Sequence, residues 1–190
     1  DVVLGQFDGY TDHDDIDDDS RTETFAAARL SIDNDRWRDT PVFLRTGKHM
    51  AVTVTEAAMV FRSTGDGAAG TGTPNLLRFG IKPHTAIDIE LVVLDTEGDD
   101  HGTRPVRLTA CAPDDHGELG DYATMLHGAM TGDHRHFARI DGIVAAWRVI
   151  DPIQAAELRP ERYAKGSMGP AAGDRLPGEN GWLPLRRADD

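Results

Sequence analysis

The sequence has a single cysteine and no long hydrophobic run, and these absences exclude several classes of protein. Cys111 stands alone among 190 residues, so no intrachain disulfide can form, which is typical of a reducing cytoplasm. No apolar run approaches the roughly 18 residues of a membrane-spanning helix, and no basic-then-apolar signal segment opens the chain. A chain of this length buries about 70% of its unfolded surface. One large domain or two small ones can therefore form without disulfide bonds or a structural metal ion.

Positive charge is also scarce. The chain has 20 Lys and Arg residues against 33 Asp and Glu residues, which gives a formal net charge of −13 at pH 7. Because nucleic acids and anionic membranes attract basic surfaces, this balance argues against both as partners. Only three of the cations are lysines, Lys48, Lys82 and Lys165, so any site for an anionic ligand must be built from few candidates.

What the sequence does contain is a series of short apolar segments followed by helical patterns. Strands are predicted over 24–32, 41–45, 53–62, 76–81, 86–94 and 104–110; the fifth is the clearest, because its apolar residues alternate strictly with Asp88 and Glu90. A helix is predicted from Asp121, and a second from Asp141 as N-cap to Pro152. The tail from 159 is expected to be irregular. Strands followed by segregated helices indicate an α+β fold.

A glycine-rich stretch, 65–70, has the G-x-G-x-x-G spacing of dinucleotide-binding loops. That function needs a helix that begins directly after the glycines and points at the pyrophosphate. The residues that follow are Thr71, Gly72, Thr73 and Pro74, which cannot begin an amphipathic helix. We therefore interpret the stretch as a hairpin loop.

Two groups of residues resemble metal sites but lack ligands. The acidic run 12–19, taken as a calcium loop from Asp15, has Ser20 and Ala26 where Gly and Glu are required, so it is predicted to be a solvated loop. His134 and His136 form an H-x-H pair with no further ligand at metal-binding spacing. We expect no metal site.

The lone thiol also has a simple interpretation. Cys111 has no nearby residue in the sequence that would activate it, and free cysteines are among the most buried residue types. We expect a buried small side chain rather than a nucleophile.

The tripeptide Thr46-Gly47-Lys48 comes at the end of a predicted strand that also carries Arg45. Glycine lets the backbone turn tightly, and a lysine ammonium is a point charge suited to phosphate. The same residues also fit a surface hairpin with two solvated cations. Composition leaves the two interpretations open.

Several stretches together resemble one enzyme family. V-V-L-G-Q-F-x-G-Y at 2–10 is similar to the V-x-R-G-Q-Y-x-G-Y stretch of glucose-6-phosphate dehydrogenase. I-D-N-x-R-W at 32–37 and L-R-T-G-K at 44–48 follow, and G-S-M-G-P at 166–170 resembles the family's G-S-W-G-P. The likeness covers roughly residues 2–170, and the combination of I-D-N-x-R-W with L-R-T-G-K is highly specific to the family.

The resemblance implies that residues 1–190 are the C-terminal α+β domain of that enzyme, or part of it. The family builds this domain on a large, mainly antiparallel sheet with helices packed on one side and C-terminal helices, and forms homodimers through the sheet. Its Rossmann coenzyme domain and catalytic histidine lie upstream of the matching part. NADP is therefore expected to bind mainly to an N-terminal domain absent here, and none of the eight histidines of this chain matches the base.

The activity implied by the resemblance is oxidation of glucose 6-phosphate to 6-phosphogluconolactone with NADP, in the cytoplasmic pentose phosphate pathway. Lys48 matches the family lysine that reaches the sugar phosphate, and Arg45 adds a cation nearby. Thr53 stands where the family usually has a second basic residue, and Lys82 matches a polar position near the substrate pocket. We expect these four residues to bind substrate, and the chain alone to be inactive.

An alternative remains open at this point. Leu4 replaces an arginine of the family motif, Met168 replaces a tryptophan, and Thr53 removes one cation. These departures are compatible with a non-catalytic dimerising or regulatory module that has the same fold.

Overall fold

The computed structural model describes residues 1–62, 73–95, 103–112 and 120–185. The glycine-rich stretch 65–70 lies outside the described residues. The strands are β1 (Val2–Phe7), β2 (Phe25–Leu30), β3 (Val42–Gly47), β4 (Thr55–Val60), β5 (Leu76–Lys82), β6 (Ala86–Leu94), β7 (Thr103–Cys111) and β8 (Glu161–Tyr163). The α-helices are α1 (Asp121–Thr131), α2 (Ile140–Ala155) and α3 (Ala171–Arg175).

The chain divides into two compact units. Unit 1 consists of residues Asp1–Val52 and Asp121–Leu183, and unit 2 of Thr53–Gly120 and Pro184–Asp190. Each unit contains one four-stranded sheet among the described residues.

The sheet of unit 1 has the strand order β3-β2-β1-β8. β2 is antiparallel to β1 and β3, and β8 is parallel to β1. Consequently β1, β3 and β8 all run in one direction, and their carboxyl ends meet at one edge of the sheet. The buried core beneath this sheet consists of Phe7, Phe25, Ala27 and Tyr163.

The sheet of unit 2 is a fully antiparallel meander in the order β4-β5-β6-β7. Side chains alternate between its faces, as the sequence of β6 predicts. On one face Leu76, Arg78, Ala86 and Asp88 are buried. On the other, Ile87, Ile89, Leu91 and Leu108 are exposed.

The predicted α+β class is confirmed, and each of the six predicted strands has a counterpart in the structure. The expected single large sheet is found as two four-stranded sheets in the described part of the chain. β1, β8 and α3 were not predicted. β8 and α3 lie in the tail expected to be irregular, so that expectation was wrong. β8 has only three residues, too few to show a periodic pattern, and it is a strand only because it pairs with β1.

The prediction for the second helix was wrong at both ends. α2 begins at Ile140, so Asp141 lies inside it, where its carboxylate accepts hydrogen bonds from Arg139 and the Gly142 amide. These bonds hold the pKa of Asp141 below its ordinary value. Pro152 lies within the helix, which continues for three residues to Ala155. A proline this near the carboxyl end removes one hydrogen bond without ending the last turn.

The helix α2 lies at the surface of unit 1. α2 has no buried residue, and Trp147 is half exposed. Among the described helices, none is long and apolar enough to traverse a lipid bilayer.

Candidate functional site

The residues that follow β1, β3 and β8 lie together at one edge of the unit 1 sheet. This placement follows from strand direction alone, since the three strands run in the same direction. Lys48 comes directly after β3, and Lys165 comes two residues after β8. Two of the three lysines of the chain are therefore delivered to the same edge.

The backbone of Lys48 is fixed on both sides of its side chain. Its amide donates to the carbonyl oxygen of Thr24 at 2.8 Å. Its carbonyl oxygen accepts from the hydroxyl of Tyr163 at 2.8 Å. Tyr163 belongs to the buried core, and Thr24 is half-buried. The side chain of Lys48 is exposed, and its main chain cannot move without breaking these two hydrogen bonds.

Gly47 of the T-G-K motif is required by space rather than by a special backbone angle. A Cβ atom at this position would lie 2.8 Å from Sδ of Met50 and 2.9 Å from Cδ2 of Phe25. Only a residue without a side chain allows the end of β3 to lie this close to the core. The glycine therefore sets the position at which Lys48 leaves the sheet.

The turn after β8 is joined to the Lys48 turn by main-chain hydrogen bonds. The amide of Gly166 donates to the carbonyl of His49 at 2.7 Å, and the amide of Ala51 donates to the carbonyl of Ser167 at 2.8 Å. His49 has a φ of 49°, a left-handed backbone conformation that residues other than glycine rarely adopt. The two turns form one rigid corner of unit 1.

The ring of Phe7 lies between the two turns. The imidazole of His49 meets it edge-on with 4.6 Å between ring centroids. The ammonium of Lys165 lies over the same ring, 5.0 Å from its centroid. Phe7 thus contacts both Lys165 and His49, the residue that follows Lys48.

Arg45, predicted to bind substrate, is held elsewhere in unit 1. Only 10% of its side chain is exposed, its guanidinium pairs with Asp174 at 3.4 Å, and it stacks on the ring of Trp182 at 4.4 Å. Burial lowers the pKa of Arg45, and the nearby Asp174 carboxylate partly offsets that effect. The alternation of β3 puts Arg45 on the face that packs against Trp182.

Thr53 and Lys82 belong to unit 2 and lie at the end of its sheet where β4 begins and β5 ends. Lys82 ends β5 and pairs with Thr55, two residues after Thr53. Both side chains are exposed. The structure therefore brings Lys82 near Thr53 within unit 2.

Sequence reasoning missed three residues of the unit 1 corner. None of Tyr163, His49 and Lys165 was predicted to have a role in the site. The scarcity of lysine was the signal that could have drawn attention to Lys165. Their proximity depends on the pairing of β8 with β1, which spans more than 150 residues of sequence.

The structure corrects one expectation about Cys111, which is exposed rather than buried. It ends β7, and the burial preference of cysteine has no effect at a strand terminus that no other segment of the described residues covers. Within the described ranges, no three His, Cys, Asp or Glu side chains form a group that could hold a metal ion.

The described residues do not fit a dinucleotide coenzyme. Such a site needs a parallel sheet with a glycine loop that leads from a strand into a packed helix. In the described ranges both sheets are mainly antiparallel, and the helix that follows β8, α3, has only five residues. This part of the chain therefore offers no Rossmann-type cradle for a coenzyme pyrophosphate.

Comparison with known proteins gives a consistent result. Residues 1–183 match the family model "Glucose-6-phosphate dehydrogenase, C-terminal domain". A similar curated protein is glucose-6-phosphate 1-dehydrogenase 1 of Mycobacterium tuberculosis, with 34% identity over 186 residues that cover 95% of this chain. The chain spans 39% of the length of that relative.

Solved structures show the same fold. The crystal structure of glucose-6-phosphate 1-dehydrogenase from Mycobacterium avium has a TM-score of 0.83 and 31% identity, and the match covers 98% of this chain and 40% of that one. A glucose-6-phosphate dehydrogenase in complex with its substrate glucose 6-phosphate has a TM-score of 0.81 and 24% identity, over 97% of this chain and 41% of that one.

Proposed function

The chain belongs to the glucose-6-phosphate dehydrogenase C-terminal domain family, and from this membership we propose that it is the substrate-binding and dimerising part of such an enzyme. The whole enzyme oxidises glucose 6-phosphate to 6-phosphogluconolactone with NADP, in the cytoplasmic pentose phosphate pathway. Residues 1–190 belong to its C-terminal α+β domain. The coenzyme domain and the base belong to polypeptide outside these residues.

The observation that carries the proposal is the fixed corner around Lys48. A dianionic sugar phosphate requires a cation held in a constant position, because movement of the cation would cost binding free energy. The Lys48 main chain has this fixed position through Thr24 and Tyr163, while its side chain is exposed. We assign Lys48 as the main phosphate ligand.

The other expected site residues have different parts in the proposal. Arg45 acts indirectly, because its guanidinium holds Asp174 and Trp182 against β3 and so supports the strand that delivers Lys48. Thr53 and Lys82 contribute the hydroxyl and ammonium of a second group at the edge of the unit 2 sheet. That group supplies polar contacts to the sugar.

The proposal includes a homodimer formed through the sheet of unit 2. One face of that sheet exposes large apolar side chains on two adjacent strands, at Ile87, Ile89, Leu91 and Leu108. Exposed apolar faces of this kind are typical of protein–protein contacts. A second copy of the chain, which carries the same face, fits as the occupant.

The test is isothermal titration of glucose 6-phosphate into the full 190-residue chain. We expect measurable binding, and we expect Lys48→Ala to abolish it, because the phosphate loses its fixed cation. Arg38→Ala is the matched control, since Arg38 is an exposed cation paired with Asp35 away from the corner. Affinity that is unchanged in Lys48→Ala would contradict the assignment.

A second function, a non-catalytic regulatory module, is favoured by one observation: the commitment of Arg45 to Asp174 leaves unit 1 with fewer cations for substrate. The two functions differ when a coenzyme domain of the family is added. Dehydrogenase activity of the mixture supports the enzyme, whereas dimerisation without any binding of glucose 6-phosphate supports the module.

A further inference from the structure

Lys165 is the second of the two lysines of unit 1, and the proposed function does not yet use it. It follows β8, and its ammonium lies 5.0 Å above the centre of the Phe7 ring. The ring of His49, the residue after Lys48, packs against the same Phe7 ring. The ammonium is thereby directed toward the corner that carries Lys48.

The position of Lys165 relative to Lys48 is set by the main chain. The hydrogen bonds from Gly166 to His49 and from Ala51 to Ser167 join the two turns directly after each lysine. Tyr163, two residues before Lys165, donates to the carbonyl of Lys48. Three hydrogen bonds therefore link the two lysine-bearing segments, so neither turn can move independently of the other.

The charge of Lys165 is available to a ligand. Its side chain is exposed, and its ammonium makes no ion pair with a carboxylate of the described residues. The Asp12 carboxylate lies in the same region: a Cβ on Gly9 would lie 3.1 Å from an Asp12 oxygen and 3.6 Å from the Lys165 ammonium. Asp12 therefore competes with an anion for this lysine.

We infer that Lys165 is a second phosphate-binding cation, which together with Lys48 holds the phosphate of the sugar phosphate at the carboxyl-end edge of the unit 1 sheet. This inference rests on the proposed function. Two cations on joined turns suit a dianion better than a single lysine does.

The experiment measures dissociation constants of the 190-residue chain for glucose 6-phosphate, inorganic phosphate and glucose by calorimetry. Lys165→Met is expected to weaken binding of both phosphate compounds about tenfold, as loss of one charge-assisted hydrogen bond does. Lys165→Arg, which keeps the charge, is expected to stay within about threefold of the original chain. Asp12→Asn is expected to tighten binding about twofold to threefold, because it removes the competing carboxylate.

The matched control is Arg162→Met. It removes a cation from the same strand, on the face opposite to Tyr163, and is expected to change affinity less than twofold. Thermal unfolding of each variant separates a folding defect from a binding defect, and Lys165→Arg keeps a cation that can stack on Phe7.

The outcomes distinguish this inference from the proposed function. If Lys48→Ala abolishes binding but Lys165→Met behaves like Arg162→Met, the inference is overturned while the proposed function stands. If Lys165→Met weakens binding of inorganic phosphate, but glucose 6-phosphate binds no tighter than inorganic phosphate, the anion site stands and the sugar-phosphate function falls. Absence of any binding to the original chain overturns both.

Discussion

At the scale of single residues, the corner around Lys48 shows that the glycine of a T-G-K motif can be required by packing. Gly47 has an ordinary backbone conformation, yet a side chain there would overlap Met50 and Phe25. Phe25 also leaves no room at Gly169, where a Cβ would lie 2.2 Å from its ring. One buried aromatic ring thus dictates glycine in two motifs that are far apart in the sequence.

We predict that Gly47→Ala destabilises the chain by about 1–3 kcal/mol, because the added methyl group forces Met50 or Phe25 out of position. The measurement is chemical unfolding followed by fluorescence. Gly142→Ala is the control: it lies in α2 with no atom within 4 Å of the added Cβ, and is expected to stabilise by up to about 1 kcal/mol. Equal effects of the two substitutions would contradict the packing argument.

At the scale of elements, the central strands of unit 2 bury charge instead of apolar side chains on one face. Arg78 of β5 lies opposite Asp88 of β6, and its guanidinium donates to Glu56 of β4. Asp88 accepts from the hydroxyl of Thr109 on β7 at 2.6 Å. The network joins all four strands, so it fixes their register: a slip by one residue would move each charge to the exposed apolar face.

We predict that Arg78→Leu lowers the free energy of unfolding by about 3–5 kcal/mol, since it leaves the buried Glu56 carboxylate without this cation. Arg107→Leu is the control in the same sheet. Arg107 pairs with Glu90 at 2.9 Å, but its side chain is 58% exposed, so solvent screening reduces the expected effect to about 0.5 kcal/mol or less. If urea denaturation gives both variants the same stability, the network contributes nothing beyond surface pairing.

At the scale of the whole molecule, the distribution of apolar surface indicates association. Much of the unit 2 sheet presents isoleucine and leucine to solvent on one face, while its opposite face contains buried charged groups. A net charge of −13 keeps such a chain soluble without covering that face.

We predict that Ile89→Glu converts the chain from dimer to monomer in light scattering, because a carboxylate in the centre of the apolar face would be desolvated on association. Ile32→Glu is the control, an exposed isoleucine of unit 1 outside the sheets. A dimer that persists in Ile89→Glu would locate the contact elsewhere, and a monomeric original chain would refute the proposed dimer.

Sequence patterns alone predicted the α+β class, the six strands β2–β7 and the position of α1, because each depends on local periodicity. It also determined the family, since I-D-N-x-R-W and L-R-T-G-K are contiguous motifs. The boundaries of α2 could not be predicted in this way. An aspartate can lie either at the N-cap or in the first turn, and a proline can lie either after a helix or in its last turn, so local rules do not distinguish the alternatives.

Which cations lie together depends on the folded chain. Arg45 and Lys48 are three residues apart, yet strand alternation and Trp182 hold the first inside unit 1 and leave the second exposed. Lys165 is far from Lys48 in the sequence and reaches the same sheet edge through the parallel pairing of β8 with β1. Pairing between distant strands is set by the burial of Phe25 and Tyr163 in a shared core, a property of the folded chain that no local pattern contains.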